Sequence, residues 1–242
     1  MAVLSVTCAE VRHHRRTLLR DLDLVVEAGQ TVAVAGPPGS GRTSTVLALA
    51  RRLRVSGGRV ELRGTASLGH VAGVNDPEPV LTVREHVRER LALLGRSPRE
   101  AATVDLRGLD PRLRGRELTP YQKQVLGLIL ARLSRPALIA LDGLDSGLDE
   151  AEQAALWEQI DELTAEGVAV LVTARTVDPG RVTRTVLLGD PRSGEPGRAE
   201  VLPAVPPEAP AVEAVEAEVP AAAGDAAGGR DEESASGTEE ER

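Results

Sequence analysis

Aromatic side chains are almost missing from this chain: there is no phenylalanine, and Tyr121 and Trp157 are the only other two. Base-stacking platforms for single-stranded nucleic acid need several aromatics, so that class of function is excluded and no nucleic-acid partner is expected. Cysteine is equally scarce. With Cys8 alone, no internal disulfide can form, which suits a reducing cytoplasm. No apolar run approaches the ~18 residues of a membrane span. The start, MAVLSVTCAEVRHHRR, puts a short apolar stretch before basic residues, the wrong order for a secretory signal. Lysine is nearly absent too: Lys123 is the single one among 29 basic residues.

What is present is uneven in charge. The 242 residues carry a net charge of −8, but residues 202–242 hold 11 acidic residues and two arginines. The remainder holds 26 acidic and 27 basic residues and is close to neutral, without a strong drive towards DNA. Residues 194–242, rich in Pro, Ala, Gly and Glu and without a helical stripe, are expected to be a disordered acidic tail. The folded domain is expected over 1–193.

Within it, strand-like and helix-like segments alternate. TVAVAG (31–36), ALIALD (137–142) and VAVLVTA (168–174) read as buried strands, with short strands in RVELRG and SLGHVAG. Helices are expected over 42–54, 81–95 (stripe Val83, Val87, Leu91, Leu94) and 121–133. A further helix opens on the Asp149/Glu152 capping box, runs through Leu163 and stops at Gly167. This alternation implies an α/β fold with a mostly parallel sheet.

The chemistry gathers at two places. The strand 31–36 runs into Gly36-Pro37-Pro38-Gly39-Ser40-Gly41-Arg42-Thr43-Ser44 and then a helix, the G-x-x-x-x-G-K-[ST] phosphate loop with Arg in place of Lys. Glycines let backbone N–H groups approach phosphate oxygens, and the helix end adds its positive pole. Thr43 stands where a hydroxyl ligates Mg²⁺. Arg42 keeps the charge but presents a planar fork rather than a compact ammonium. About a hundred residues on, Asp142 ends a buried strand, where a carboxylate can hold Mg²⁺ through water. Either feature alone is compatible with a glycine-rich turn or a helix cap; together, at this separation, they are not accidental.

Here a family resemblance becomes specific. ARLSRPALIALDGLDSGLD (131–149) resembles the Walker B and D-loop stretch of ATP-binding cassette (ABC) proteins, with Ser146-Gly147-Leu148-Asp149 matching the D-loop. EAGQTVAVAGPPGSGRTS (27–44) resembles the family's Walker A approach, VLTVREHVRERL (80–91) the helix after its Q-loop, and VAVLVTAR (168–175) the strand before its switch histidine. The resemblance implies a P-loop NTPase core with a reduced helical subdomain at about 80–135. It implies binding of ATP and Mg²⁺, pairing with a second cassette and docking of a cytoplasmic chain on a separate membrane transport subunit at the inner face of the membrane.

Several positions depart from the family pattern. The residue after Asp142, a water-activating Glu in the family, is Gly143, and losing a general base typically costs ~10²–10⁴ in rate. The signature LSGGQ stands as Leu118-Thr119-Pro120-Tyr121-Gln122, where Pro120 has no N–H to offer. The switch His is Ala174, the Q-loop Gln is Gly73, and the adenine-stacking aromatic is Arg12 or His13. The residues therefore favour an ATP-binding transport subunit with impaired hydrolysis. An active ATPase and a nucleotide-independent scaffold are the alternatives. Asp145 is a weak stand-in for the missing carboxylate. His13, His14, His70 and His86 lack metal-ligand spacing, Trp157 suits packing with Leu156, Ile160 and Leu163, and Cys8 is expected to be a small buried side chain.

Overall fold

The computed structural model describes residues 1–13, 16–193 and 196–203. Nine strands and four α-helices are found among them. Strands β1 (Ala2–His13), β2 (Arg16–Glu27) and β4 (Gly57–Leu62) form an antiparallel sheet in the order β2-β1-β4. The larger sheet runs β5-β6-β7-β3-β8-β9. Its members are β3 (Thr31–Ala35), β5 (Ala66–Leu68), β6 (Leu138–Leu141), β7 (Ala169–Ala174), β8 (Arg184–Leu188) and β9 (Ala199–Pro203). All of its pairings are parallel except β8 with β9. The helices are α1 (Arg42–Leu49), α2 (Val83–Leu93), α3 (Pro120–Arg132) and α4 (Glu150–Ala165).

Why β3, β6 and β7 occupy the centre follows from their sequences. Every residue in them is buried, as continuous apolar runs covered on both faces must be. Their alternation divides the core in two. Val32, Val34, Leu138, Ala140 and Leu171 face α1 and the antiparallel sheet. Ala33, Ile139, Leu141, Val170 and Val172 face the other way, onto Leu156, Ile160 and Leu163 of α4 and Leu128 and Ala131 of α3. A third cluster joins Val83, Val87 and Leu91 of α2 to Val125, Leu126 and Ile129 of α3, and forms the core of the small helical region. Between α2 and α3 the chain makes only one-turn helices at Pro98–Ala102 and Gly115–Glu117, so this region is reduced as expected.

Several elements differ from the sequence reading. β1 and β2, twelve residues each, have no clean alternation. Their ladder slips register repeatedly, and Cys8 and Asp21 sit in left-handed backbone conformations. Cys8 is exposed rather than buried, because the irregularity at Thr7–Cys8 turns it out of the sheet while its N–H donates to Asp23 Oδ1 at 2.8 Å. α1 stops at Leu49, five residues short of the expectation, because Ala50 caps it and Arg51 is left-handed. β9 lies beyond the expected boundary at residue 193: it pairs with β8 from Leu188↔Ala199 to Arg184↔Pro203. Of the expected tail, residues 194–195 and 204–242 lie outside the described residues, as does His14. The Asp149/Glu152 capping box forms as read, and α4 ends at Ala165, capped by Glu166, with Gly167 left-handed behind it. No helix is long and apolar enough to cross a membrane among the described residues.

Candidate functional site

The turn from β3 into α1 can only be made by glycine at two points. Gly36 lies so near β8 that a Cβ would come within 2.8 Å of the Leu188 carbonyl oxygen, and one on Gly41 would come within 2.6 Å of Leu18 O in β2. Both residues, and Gly39, have φ between 81° and 152°. The loop thus presses its backbone against β2 and β8. Pro37 and Pro38 contribute no N–H to it. Ser40 does contribute one, to the Pro37 carbonyl at 3.2 Å, but its hydroxyl, in a side chain only 3% exposed, has no hydrogen-bond partner. A buried hydroxyl without a partner is rare enough to point to a missing one. An anion lodged in the loop would supply it, at the N-terminus of α1 where the helix dipole is positive. Arg42 turns back on the loop, its Nη1 donating to Gly36 O at 2.6 Å. Ser44 follows, half-buried, in the first turn of the helix.

The two halves of the expected Mg²⁺ site meet. Thr43 Oγ1 lies 3.0 and 2.9 Å from the two carboxylate oxygens of Asp142, donating to the carboxylate. A hydroxyl and a carboxylate converging at the mouth of a phosphate loop are hard oxygen donors of the kind Mg²⁺ takes. Asp142 is held by more than Thr43. Thr173, next to last in β7, donates its hydroxyl to Asp142 Oδ1 at 2.6 Å and accepts the Gly143 N–H at 2.8 Å. Gln124 of α3 donates to the Asp142 main-chain oxygen at 2.8 Å. Neither Thr173 nor Gln124 stood out in the sequence. For Thr173 a signal did exist: parallel pairing of Leu141 with Val172 makes the next residues, Asp142 and Thr173, neighbours.

The positions read above as departures from the family pattern each have a local structural role. Gly143 is left-handed at φ 69°, and a Cβ there would stand 3.1 Å from Ser146 Oγ. The Ser146 N–H donates back to Gly143 O at 2.9 Å, closing a tight turn. Thr119 caps α3, accepting the Gln122 N–H at 3.2 Å while Gln122 Oε1 accepts the Thr119 N–H at 3.0 Å. Pro120 fits as the first residue of that helix, where its missing N–H is harmless. Tyr121 packs, half-buried, on the cores either side. Gly147 of the D-loop segment lies against Pro120. Asp145 accepts the Arg175 N–H at 2.8 Å, a turn-capping role. Ala174 is buried at the end of β7.

The segment after β5 is tied down by its own polar groups. His70 Nε2 lies 2.9 Å from Asp76 Oδ1, and the Gly73 N–H donates to Asp76 Oδ2 at 2.7 Å. The hydrogen bond to His70, then that from Gly73, hold the Asp76 carboxyl below its ordinary range. Arg12 pairs with Glu10 at 2.8 Å on β1, and His13 is exposed at the end of that strand. His86 is buried with Nδ1 2.8 Å from Thr82 O. No group of three or more His, Cys, Asp or Glu side chains is arranged to hold a metal among the described residues. Trp157 packs against the second core with the Arg181 guanidinium 5.9 Å from its ring centre.

Comparison with known proteins agrees with this fold. A family model for ABC transporters matches residues 19–144. The zinc import ATP-binding protein ZnuC of Jannaschia sp. (strain CCS1) is 32% identical over 177 residues, 71% of this chain and 72% of the relative. ZnuC of Ruegeria pomeroyi is 33% identical over 177 residues, 71% of this chain and 68% of the relative. Among solved structures, an ATP-binding subunit of an ABC transporter superposes with a TM-score of 0.67 at 20% identity, covering 83% of this chain and 90% of that one. A dimeric ATP-binding cassette in a post-hydrolysis state bound to ADP and Pi gives 0.66 at 19% identity, covering 81% and 97%. These structures speak for the fold, a P-loop NTPase cassette; the sequence matches speak for kinship. With the family model spanning more than half of its length, the chain belongs to the ABC transporter family, among its ATP-binding subunits.

Proposed function

We propose that this subunit binds ATP with Mg²⁺ at Gly36–Ser44 and hydrolyses it slowly, acting with a second cassette on a separate membrane protein. The observation that carries the proposal is the convergence of Thr43 and Asp142 at the mouth of a loop whose buried Ser40 hydroxyl lacks a partner. The amides of the loop and of the first turn of α1 would hold the phosphates, with the Arg42 guanidinium beside them. Thr43 would offer its hydroxyl to Mg²⁺, and Asp142, oriented by Thr173, would hold the ion through water. Bound there, Mg²⁺ offsets phosphate charge and orients the terminal phosphoryl group.

Hydrolysis needs a base to take a proton from the attacking water. Gly143 has none to offer, Asp145 is engaged with the Arg175 N–H, and Ala174 brings no imidazole. By the family's composite arrangement, residues 118–122 of one chain would face nucleotide held by another. Pro120 and Tyr121 make that contribution poorer than a glycine pair would. A heterodimer with an intact cassette is therefore the productive assembly, in which this chain's own site keeps ATP as a brace. The relatives' designation makes zinc import the first transport system to test. One observation favours the scaffold reading: the Arg42 guanidinium is already engaged by Gly36 O. Calorimetry with ATP, with and without Mg²⁺, decides between the two. Binding that strengthens with Mg²⁺ is expected, and no binding at millimolar ATP would overturn the proposal. Single-turnover hydrolysis, alone and with a co-purified cassette, tests the second half.

A further inference from the structure

Gln124 sits one turn into α3, the helix that opens with the segment 119–122, and is 4% exposed. Its Nε2 donates to the Asp142 carbonyl oxygen at 2.8 Å. Because a carbonyl oxygen only accepts, the amide can face Asp142 with its nitrogen alone. The other end, Oε1, is then left buried with no partner among the described residues. An amide that forgoes one bond to keep another is placed for the one it keeps. The Asp142 N–H is held as well, by His70 O at 3.3 Å. α3 bears on that same residue: a Cβ on Gly127 would strike the His70 backbone nitrogen. Both ends of the Asp142 backbone are thus fixed by α3 or by residues packed against it, while its carboxylate is fixed by Thr43 and Thr173.

We infer that Gln124 is a positioning residue for Asp142: through its amide, α3 sets how strongly Mg²⁺ promotes nucleotide binding at Gly36–Ser44. The inference rests on the reading of Thr43 and Asp142 as holders of Mg²⁺. It has a consequence for a paired assembly. The first turn of α3 would face one nucleotide while Gln124, in the same helix, adjusts the metal site for the other.

The test uses the full chain and calorimetric ATP affinity in Mg²⁺ and in EDTA. Gln124→Met keeps length and helix preference but removes the donor. It is expected to weaken binding about three- to tenfold in Mg²⁺, the worth of one hydrogen bond, and to leave binding in EDTA unchanged. A purely structural residue would weaken both alike, and that result, or no change in either, overturns the inference. Gln124→Asn supplies an arm that does not depend on the first variant folding. It keeps a buried amide but is one carbon too short to reach Asp142 O, and it is expected to lose the same Mg²⁺-dependent part of the affinity. Wild-type affinity in Mg²⁺ for this variant overturns the inference. Thr43→Val separates the two readings. If wild type shows no gap between Mg²⁺ and EDTA, the metal site and Gln124's role fall together. If the gap is present, is lost in Thr43→Val and survives in Gln124→Met, the role of Gln124 alone falls.

Discussion

Restoring the missing carboxylate by Gly143→Glu should fail, and the backbone gives the reason. Gly143 has φ 69°, in the left-handed region where a side chain costs about 1–2 kcal/mol. A Cβ there meets Ser146 Oγ at 3.1 Å and Ser146 Cβ at 3.2 Å, so the turn that ends in the Ser146 N–H to Gly143 O bond must give by a few tenths of an ångström. Together these amount to a loss of about 1–3 kcal/mol. For a domain of this size each kcal/mol is worth about 2–4 °C in melting temperature. Gly143→Glu is therefore expected to melt about 2–12 °C below wild type, and Gly143→Asn, which tolerates left-handed backbone better, less far below. Whatever chain remains folded should still turn over slowly. The Glu would enter a site in which Ala174 and Pro120-Tyr121 are unchanged, and residues that act as a unit do not repair one at a time. Differential scanning calorimetry and single-turnover ATP hydrolysis are the assays. A variant that melts with wild type, or that reaches the ~10 s⁻¹ of an ordinary enzyme, would refute the reasoning.

Three further outcomes are expected. A chain ending at Pro203 should melt with full length, whereas one ending at Ser193 loses the β8–β9 ladder and the packing of Ala199 and Val201, about 3–5 kcal/mol; equal melting of the two truncated chains would contradict the role given to β9. Arg42→Lys should tighten ATP binding by about 1 kcal/mol, because a compact ammonium makes less of the Gly36 O contact that the fork now makes at 2.6 Å; weaker binding by calorimetry would show that the fork suits the phosphates. The Asp76 carboxyl is held below its ordinary range, so the stability it contributes is present above the ordinary carboxylate pKa and is lost as the pH falls through its lower folded value. Urea unfolding should accordingly show Asp76→Asn less stable than wild type at pH 7, with the gap closing below about pH 4; a gap independent of pH would disprove the link.

What could be read from the sequence was whatever depends on neighbours along the chain. The loop 36–44, the strands feeding it, Asp142 at a strand end and the Asp149/Glu152 cap are each set by a few consecutive residues, and they stand where expected. The β1–β2 hairpin escaped because bulges at Cys8 and Asp21 break the alternation that betrays a strand. β9 escaped because AEVLP reads like the Pro- and Glu-rich sequence after it; only β8 alongside makes it a strand. Thr173 and Gln124 act on Asp142 across 31 and 18 residues of chain; nothing local marks Gln124, and Thr173 is marked only once the register of β6 beside β7 is known.

The order of the large sheet also governs when the loop at Gly36–Ser44 can be complete. β3 delivers the chain into the loop, yet the residues paired with Val32 are Leu171 and Arg184, far downstream. During synthesis β3 would emerge early and wait, apolar on both faces, for β7 and β8 to leave the ribosome. Pairings this distant in sequence are slow to form and expose sticky surface meanwhile. The site proposed at Gly36–Ser44 would therefore be incomplete on the nascent chain until most of the domain is made, and a nucleotide bound there could stabilise the fold only at the last stage. Early protection of β3 falls to the N-terminal antiparallel sheet and α1, whose side chains cover Val32 and Val34 and which are complete by residue 62.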